Sequence, residues 1–239
     1  KDVLTPMMVN LDGFILTHTY ELVDVPEQKM VDEFLPAFET PNKMSFEEPK
    51  NLGFSSKPDD NTEFKYQQNE AMFKAIDVIR DVDQEFAEKF GRKYYDMVEE
   101  YRCDDAEVVL VALGSVCGTI RVVVDKMRAE GKKVGLLKIR YMRPFPETEV
   151  KDLARRVNAI GVIDKDISFG YEGTVYTNVN SAISKIDKYV YKSNFVGGLG
   201  GRDITKDEIE EMFDKLFFGV ANKSEEKVEF FSLNVETND

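Results

Sequence analysis

The sequence predicts an α/β fold, a parallel sheet with helices on both faces. Three observations carry this. Val108-Val109-Leu110-Val111-Ala112-Leu113 is an uninterrupted apolar run, the pattern of a strand buried on both faces. Further strand-like segments follow at 134–139, 159–163 and 190–196, separated by segments with apolar residues at three- and four-residue steps. Strand and helix therefore alternate about every 12–15 residues, the rhythm of parallel strands joined by crossover helices.

The elements follow in order. Residues 1–35 hold one short strand, at 7–11, a turn at Asp12-Gly13 and a mixed segment ending Val31-Asp32-Glu33-Phe34-Leu35. One strand cannot bury a core, so this piece leans on the rest of the chain or on a further domain. The start at Lys1, directly ahead of strand-like sequence, reads as a fragment or a processed chain. Residues 36–104 form a second stretch. Its first part carries Pro36, Pro41, Pro49 and Pro58 among polar residues and has no periodicity, which marks a long connector. Phe73, Ile76, Ile79, Val82, Phe86 and Phe90 then predict a helix over 66–90, stopped at Gly91. A second short helical stretch, Tyr94 to Tyr101, leads into Asp104-Asp105.

The α/β domain spans 105–222. Its first strand ends at Gly114-Ser115, and a helix follows with Ile120, Val123, Val124 and Met127 on one face. The second strand ends at Arg143-Pro144-Phe145-Pro146. The next helix sets Val150, Leu153, Ala154 and Val157 at i, i+3, i+4, i+7. A third strand at 159–163, a helix at 174–186 and a fourth strand at 190–196 complete the alternation. Thr205-Lys206-Asp207-Glu208 is a capping box opening a last helix with Ile209, Met212, Phe213, Leu216 and Phe217. The tail, 223–239, offers an edge strand through Val228-Glu229-Phe230-Phe231.

Composition limits the partners. A net charge of −13 over 239 residues argues against nucleic acid and anionic membrane, since phosphate binding needs a cationic face. Two cysteines, Cys103 and Cys117, lack CxxC spacing and point to a reducing, cytoplasmic setting. No apolar run approaches the roughly 18 residues of a membrane span, and no signal-peptide pattern is present.

The candidate chemistry is sparse. Gly114-Ser115-Val116-Cys117-Gly118-Thr119 opens a helix after a strand, where amides can bind an anion. Its spacing is not GxGxxG, and a tight strand-to-helix turn explains the glycines equally. In 197–203, Gly198-Leu199-Gly200 starts that pattern, but Asp203 stands where the last glycine belongs. This run reads as a bend into the capped helix, with close approach to a neighbouring subunit as the alternative. Asp164 to Gly173 is a loop whose acids include Asp166 and Glu172. A lysine between the aspartates and the lack of histidine favour a subunit contact over a metal. His18 is the sole histidine; it is a weak catalytic candidate beside a structural role. Cys117 opens a helix, where the dipole lowers thiol pKa, but no base stands near it in sequence. Residue by residue, the chain reads as an α/β domain without a self-contained active site. The remaining alternative is a stand-alone nucleotide- or anion-binding or subunit-docking module.

Taken in series, several phrases resemble the alpha subunit of the pyruvate:ferredoxin oxidoreductase (pyruvate synthase) family, within the 2-oxoacid:ferredoxin oxidoreductases. They are 8–14 with Leu16-Thr17-His18-Thr19, 64–68, 112–115, 143–146, 166–173 and 196–203. The resemblance implies that 1–35 ends a thiamine-pyrimidine-binding domain and that 105–222 is transketolase C-terminal-like and Rossmann-like. It implies oxidative decarboxylation of pyruvate with coenzyme A, with ferredoxin as electron acceptor. The partners implied are beta, gamma and delta subunits. Thiamine diphosphate, Mg2+ and iron–sulfur clusters are expected in the whole complex, with no cofactor held by this chain alone. The activating glutamate of the family falls upstream of Lys1. The chain then looks architectural: Asp12, Gly13, Gly114, Ser115 and Gly118 are weak cofactor-side candidates, and Arg143, Asp166, Glu172, Arg202 and Asp203 are loop or interface positions.

Overall fold

The computed structural model describes residues 1–40, 42–53 and 55–235. Pro41, counted above among the connector prolines, and 236–239 of the tail lie outside them. The chain divides into two compact units, Lys1–Val9 with Tyr20–Asp96, and Asn10–Thr19 with Met97–Asp239.

The first unit is helical. α2 (Gln28–Phe34) packs on α3 (Pro58–Phe90). Phe34 sits edge-on to Phe86 and Phe90, with centroids 5.6 and 5.5 Å apart. α3 begins at Pro58, ahead of the apolar spacing. Proline at the first position has its φ preset, and Asp59 and Asp60 complement the positive helix end. Gly91 at φ +68° ends the helix as expected. The strand expected at 7–11 is not formed. A strand needs a partner for its amides and carbonyls, and these residues have none among the described residues; Met7, Met8, Val9 and Leu11 are exposed.

The second unit carries one six-stranded sheet in the order β1-β3-β2-β4-β5-β6. The strands are β1 (Val98–Tyr101), β2 (Val108–Ala112), β3 (Val134–Ile139), β4 (Ala159–Asp164), β5 (Tyr191–Val196) and β6 (Val228–Phe230). Every pair is parallel except β1 with β3, so the sheet is mixed at one edge rather than wholly parallel. β1 corrects the expected helix at 94–101. Val98 and Tyr101 suit a pleated strand, and the open edge of β3 supplies the pairing, Val98 opposite Ile139. Glu99 and Glu100 are held by Arg121 and Arg156 at 2.6 and 2.7 Å.

Helices cover both faces. Val108, Leu110, Leu136 and Phe195 meet α4 (Val116–Ala129) and α7 (Lys206–Asn222) on one side. Val109, Val111, Leu137 and Ile160 meet α5 (Glu147–Arg156) and α6 (Thr174–Ile183) on the other. The five residues of β2 are all buried, as its unbroken apolar run requires.

Candidate functional site

The strand order fixes where a ligand crevice would lie. The chain leaves β2 for β3 on one side and resumes at β4 on the other, so the topological switch point is between the carboxyl ends of β2 and β4. Two loops border it, Gly114-Ser115 after β2 and 165–173 after β4. A third segment enters from far away in sequence, Asn10–Thr19. The Ser115 amide donates to Asp12 Oδ2 at 2.6 Å, and Lys165 Nζ lies 3.5 Å from the same oxygen. The carboxylate thus sits at the N-terminus of α4, where unpaired amides and the helix dipole favour negative charge. Hydrogen bonding from Ser115, against a modest burial penalty, and then the Lys165 ammonium hold the Asp12 carboxyl below its ordinary range. Gly114 has φ +76°, a conformation that favours glycine, and a Cβ there would crowd Asp12 Oδ2 at 3.0 Å.

A second carboxylate fills the next helix end. Asp164 closes β4 and is buried. It accepts the Val175 and Tyr176 amides of α6 at 2.8 and 3.1 Å and Asn194 Nδ2 at 2.8 Å. Asn194 Oδ1 in turn accepts the Gly173 amide at 2.8 Å. A Cβ on Gly173 would lie 2.2 Å from Asp164 Oδ2, which leaves room for glycine alone. Burial, opposed by the two amides and reinforced by the neighbouring Asp166 carboxyl, pushes the Asp164 carboxyl up to about 6. Sequence reasoning placed Asp164 and Lys165 in a loop without singling them out, and passed over Asn194. The available signal was an acid at a strand end, nine residues before a helix opened by glycine.

The other sequence candidates are dispersed. His18 ends the four-residue α1 (Ile15–His18), is exposed, and contacts the Phe14 carbonyl through Nδ1 at 2.6 Å. Gly13 is exposed with open space around it. Gly118 lies in the first turn of α4, also with open space, and makes no part of the Asp12 contact. Arg143 is exposed and donates to the Met142 carbonyl at 2.6 Å. Asp166 is bonded by the Thr174 hydroxyl. Glu172 is buried, and its Oε1 has no hydrogen-bond partner. Arg202 donates to the Ser232 carbonyl, and the Asp203 carbonyl accepts Ser232 Oγ at 3.5 Å. The glycine run forms a 3-10 turn, Leu199–Gly201, ahead of the Thr205–Glu208 capping box on α7. Among the described residues no group of three or more His, Cys, Asp or Glu could hold a metal ion, and no helix is long and apolar enough to cross a membrane.

A diphosphate does not fit this edge. Both helix N-termini beside the switch point already hold a carboxylate, and a phosphate brought there would meet like charge. Fold and site therefore define a doubly wound α/β unit whose switch-point helix ends carry carboxylates of the same chain.

Comparison with known proteins places that unit. Pyruvate:ferredoxin oxidoreductase core domain II matches residues 106–209, and the thiamine diphosphate-binding domain of pyruvate flavodoxin/ferredoxin oxidoreductase matches 1–84. The chain is 49% identical over 212 residues to pyruvate synthase subunit PorA of Methanothermobacter thermautotrophicus, covering 89% of this chain and 54% of that protein. It is 38% identical over 235 residues to ketoisovalerate oxidoreductase subunit VorA of Pyrococcus abyssi, covering 98% of this chain and 60% of that protein. Among solved structures it is similar to 2-oxoglutarate:ferredoxin oxidoreductase from Magnetococcus marinus, at TM-score 0.47 and 16% identity over 67% of this chain and 24% of that one. The chain belongs to the 2-oxoacid:ferredoxin oxidoreductase family. It spans about half the length of the curated relatives it matches.

Proposed function

We propose that this chain is part of the alpha subunit of a multi-subunit 2-oxoacid:ferredoxin oxidoreductase that converts pyruvate and coenzyme A to acetyl-CoA and CO2, passing two electrons singly to ferredoxin, and runs the reverse. The observation that carries the substrate choice is the 49% identity to a pyruvate synthase subunit over 89% of the chain, against 38% to a ketoisovalerate subunit. Thiamine diphosphate, with Mg2+, supplies the carbanion chemistry, and iron–sulfur clusters carry the electrons; these groups belong to the rest of the complex. Beta, gamma and delta subunits are its partners.

This chain's contribution is architectural. Residues 1–35 close the thiamine-pyrimidine domain, 36–104 connect, 105–222 form the α/β domain, and 223–239 add its edge. Arg143, Asp166, Glu172, Arg202 and Asp203 present loops to neighbouring subunits in a cytoplasmic complex.

The test is viologen reduction by the reconstituted complex with pyruvate or 2-oxoisovalerate. We expect pyruvate to be preferred by about tenfold or more in kcat/KM, the discrimination a pocket achieves for a few methyl groups. A preference for 2-oxoisovalerate would overturn the pyruvate assignment. Inactivity of an intact, cofactor-loaded complex with every 2-oxoacid would overturn the enzyme reading.

A further inference from the structure

We propose that Asp12 is an internal ligand of the switch-point crevice, positioning residues 10–19, His18 among them, on the α/β unit. The crevice then docks the chain onto itself instead of onto a phosphate-bearing cofactor.

Four observations converge. Asp12 bridges the two sides of the switch: the Ser115 amide belongs to the loop after β2, and Lys165 to the loop after β4. Gly114 suits this guest, since its φ is positive and a Cβ there would crowd the carboxylate at 3.0 Å. Residues 10–19 belong to the α/β unit, whereas 1–9 and 20–96, on either side in sequence, form the other unit.

The fourth observation concerns what else could hold the segment. α1 has no buried residue, and Leu11, Phe14, Ile15 and Leu16 are exposed. The hydrophobic effect therefore does not fasten it. The other side-chain hydrogen bonds of the segment are local: Thr17 and Thr19 hydroxyls donate to the Phe14 and Leu16 carbonyls, both at 3.3 Å, and His18 Nδ1 contacts Thr17 Oγ1 at 3.2 Å and the Phe14 carbonyl at 2.6 Å. A carboxylate accepting a helix-end amide is among the stronger single anchors available.

His18 lies in the same turn, at the end of α1. A carbonyl only accepts, so the 2.6 Å contact with the Phe14 carbonyl places the proton on Nδ1. Asp12 is thus a positioning residue for the segment that carries His18.

Hydrogen exchange on the full-length alpha subunit in its assembled complex tests this, comparing wild type with Asp12→Ala. The expected result is exchange about tenfold or more faster in peptides covering 10–19 and 113–119, the loss of one charge-assisted hydrogen bond. Sodium formate, which returns a carboxylate to the vacated place, should restore protection in Asp12→Ala and leave wild type unchanged. Unchanged exchange in Asp12→Ala, or deprotection that formate does not reverse, overturns the proposal. If Asp12→Ala fails to assemble, Lys165→Met weakens the same anchor, and unchanged exchange at 10–19 there overturns it equally. Formate-reversible deprotection in a complex inactive on every 2-oxoacid would sink the functional reading and leave this one standing.

Discussion

Asp12 and Asp164 each lie at a helix N-terminus, yet their surroundings drive their protonation apart. Asp12 is half-exposed and bonded by Ser115 and Lys165, which favours its charge. Its contribution to stability is present above the ordinary aspartate value and is lost as pH falls through the lowered folded value. Asp164 is buried, and its carboxyl is raised to about 6. The folded state then holds a proton that the unfolded state releases, so stability falls as pH rises from about 4 to about 6. Urea titrations of wild type should show this decline, on the order of 1–3 kcal/mol, and Asp164→Asn should flatten it. Gly173→Ala should cost about 1–3 kcal/mol, because its methyl meets the Asp164 carboxylate inside a full site. Cysteine reactivity gives a further check. Burial pushes the Cys103 thiol up to about 12 and the Cys117 thiol up to about 11. Both should resist iodoacetamide at mildly alkaline pH and react promptly in denaturant. At Cys117 the sequence offered a helix start that lowers pKa against a small buried residue; the residue is buried, and burial outweighs the helix start.

The elements most legible in the sequence are those whose stability is local. The α7 capping box is one: Thr205 Oγ1 accepts the Glu208 amide at 3.2 Å, and Glu208 returns a bond to the Thr205 amide at 2.7 Å. Thr205→Ala should cost about 1 kcal/mol, read as a lower denaturation midpoint at unchanged slope. β2, α4 and α5 were legible from apolar pattern alone, since each buries a continuous stripe or both faces. β1 was not. Four residues with two glutamates, Val98–Tyr101, become a strand only because β3 leaves an edge open beside them. The 7–11 run fails in the opposite sense, with strand-like residues and no partner among the described residues.

For the whole molecule, the carboxylates at the two helix ends bear on what the isolated chain can bind. Calorimetry with ATP, NAD and coenzyme A should give no saturable heat, because Asp12 and Asp164 already occupy both helix ends beside the switch point. Micromolar binding of any of the three, abolished by Gly118→Val, would restore the stand-alone nucleotide module. By itself the sequence determined the α/β alternation, the helix caps and the family, because these rest on periodicity, local hydrogen bonding and recurring short phrases. It left the glycine turn at 114–118 open between phosphate cradle and plain turn. Only the tertiary structure decided that. The occupant, Asp12, is 103 residues from Ser115 in the chain. No local pattern encodes a contact made across that distance, which exists only once the chain has folded.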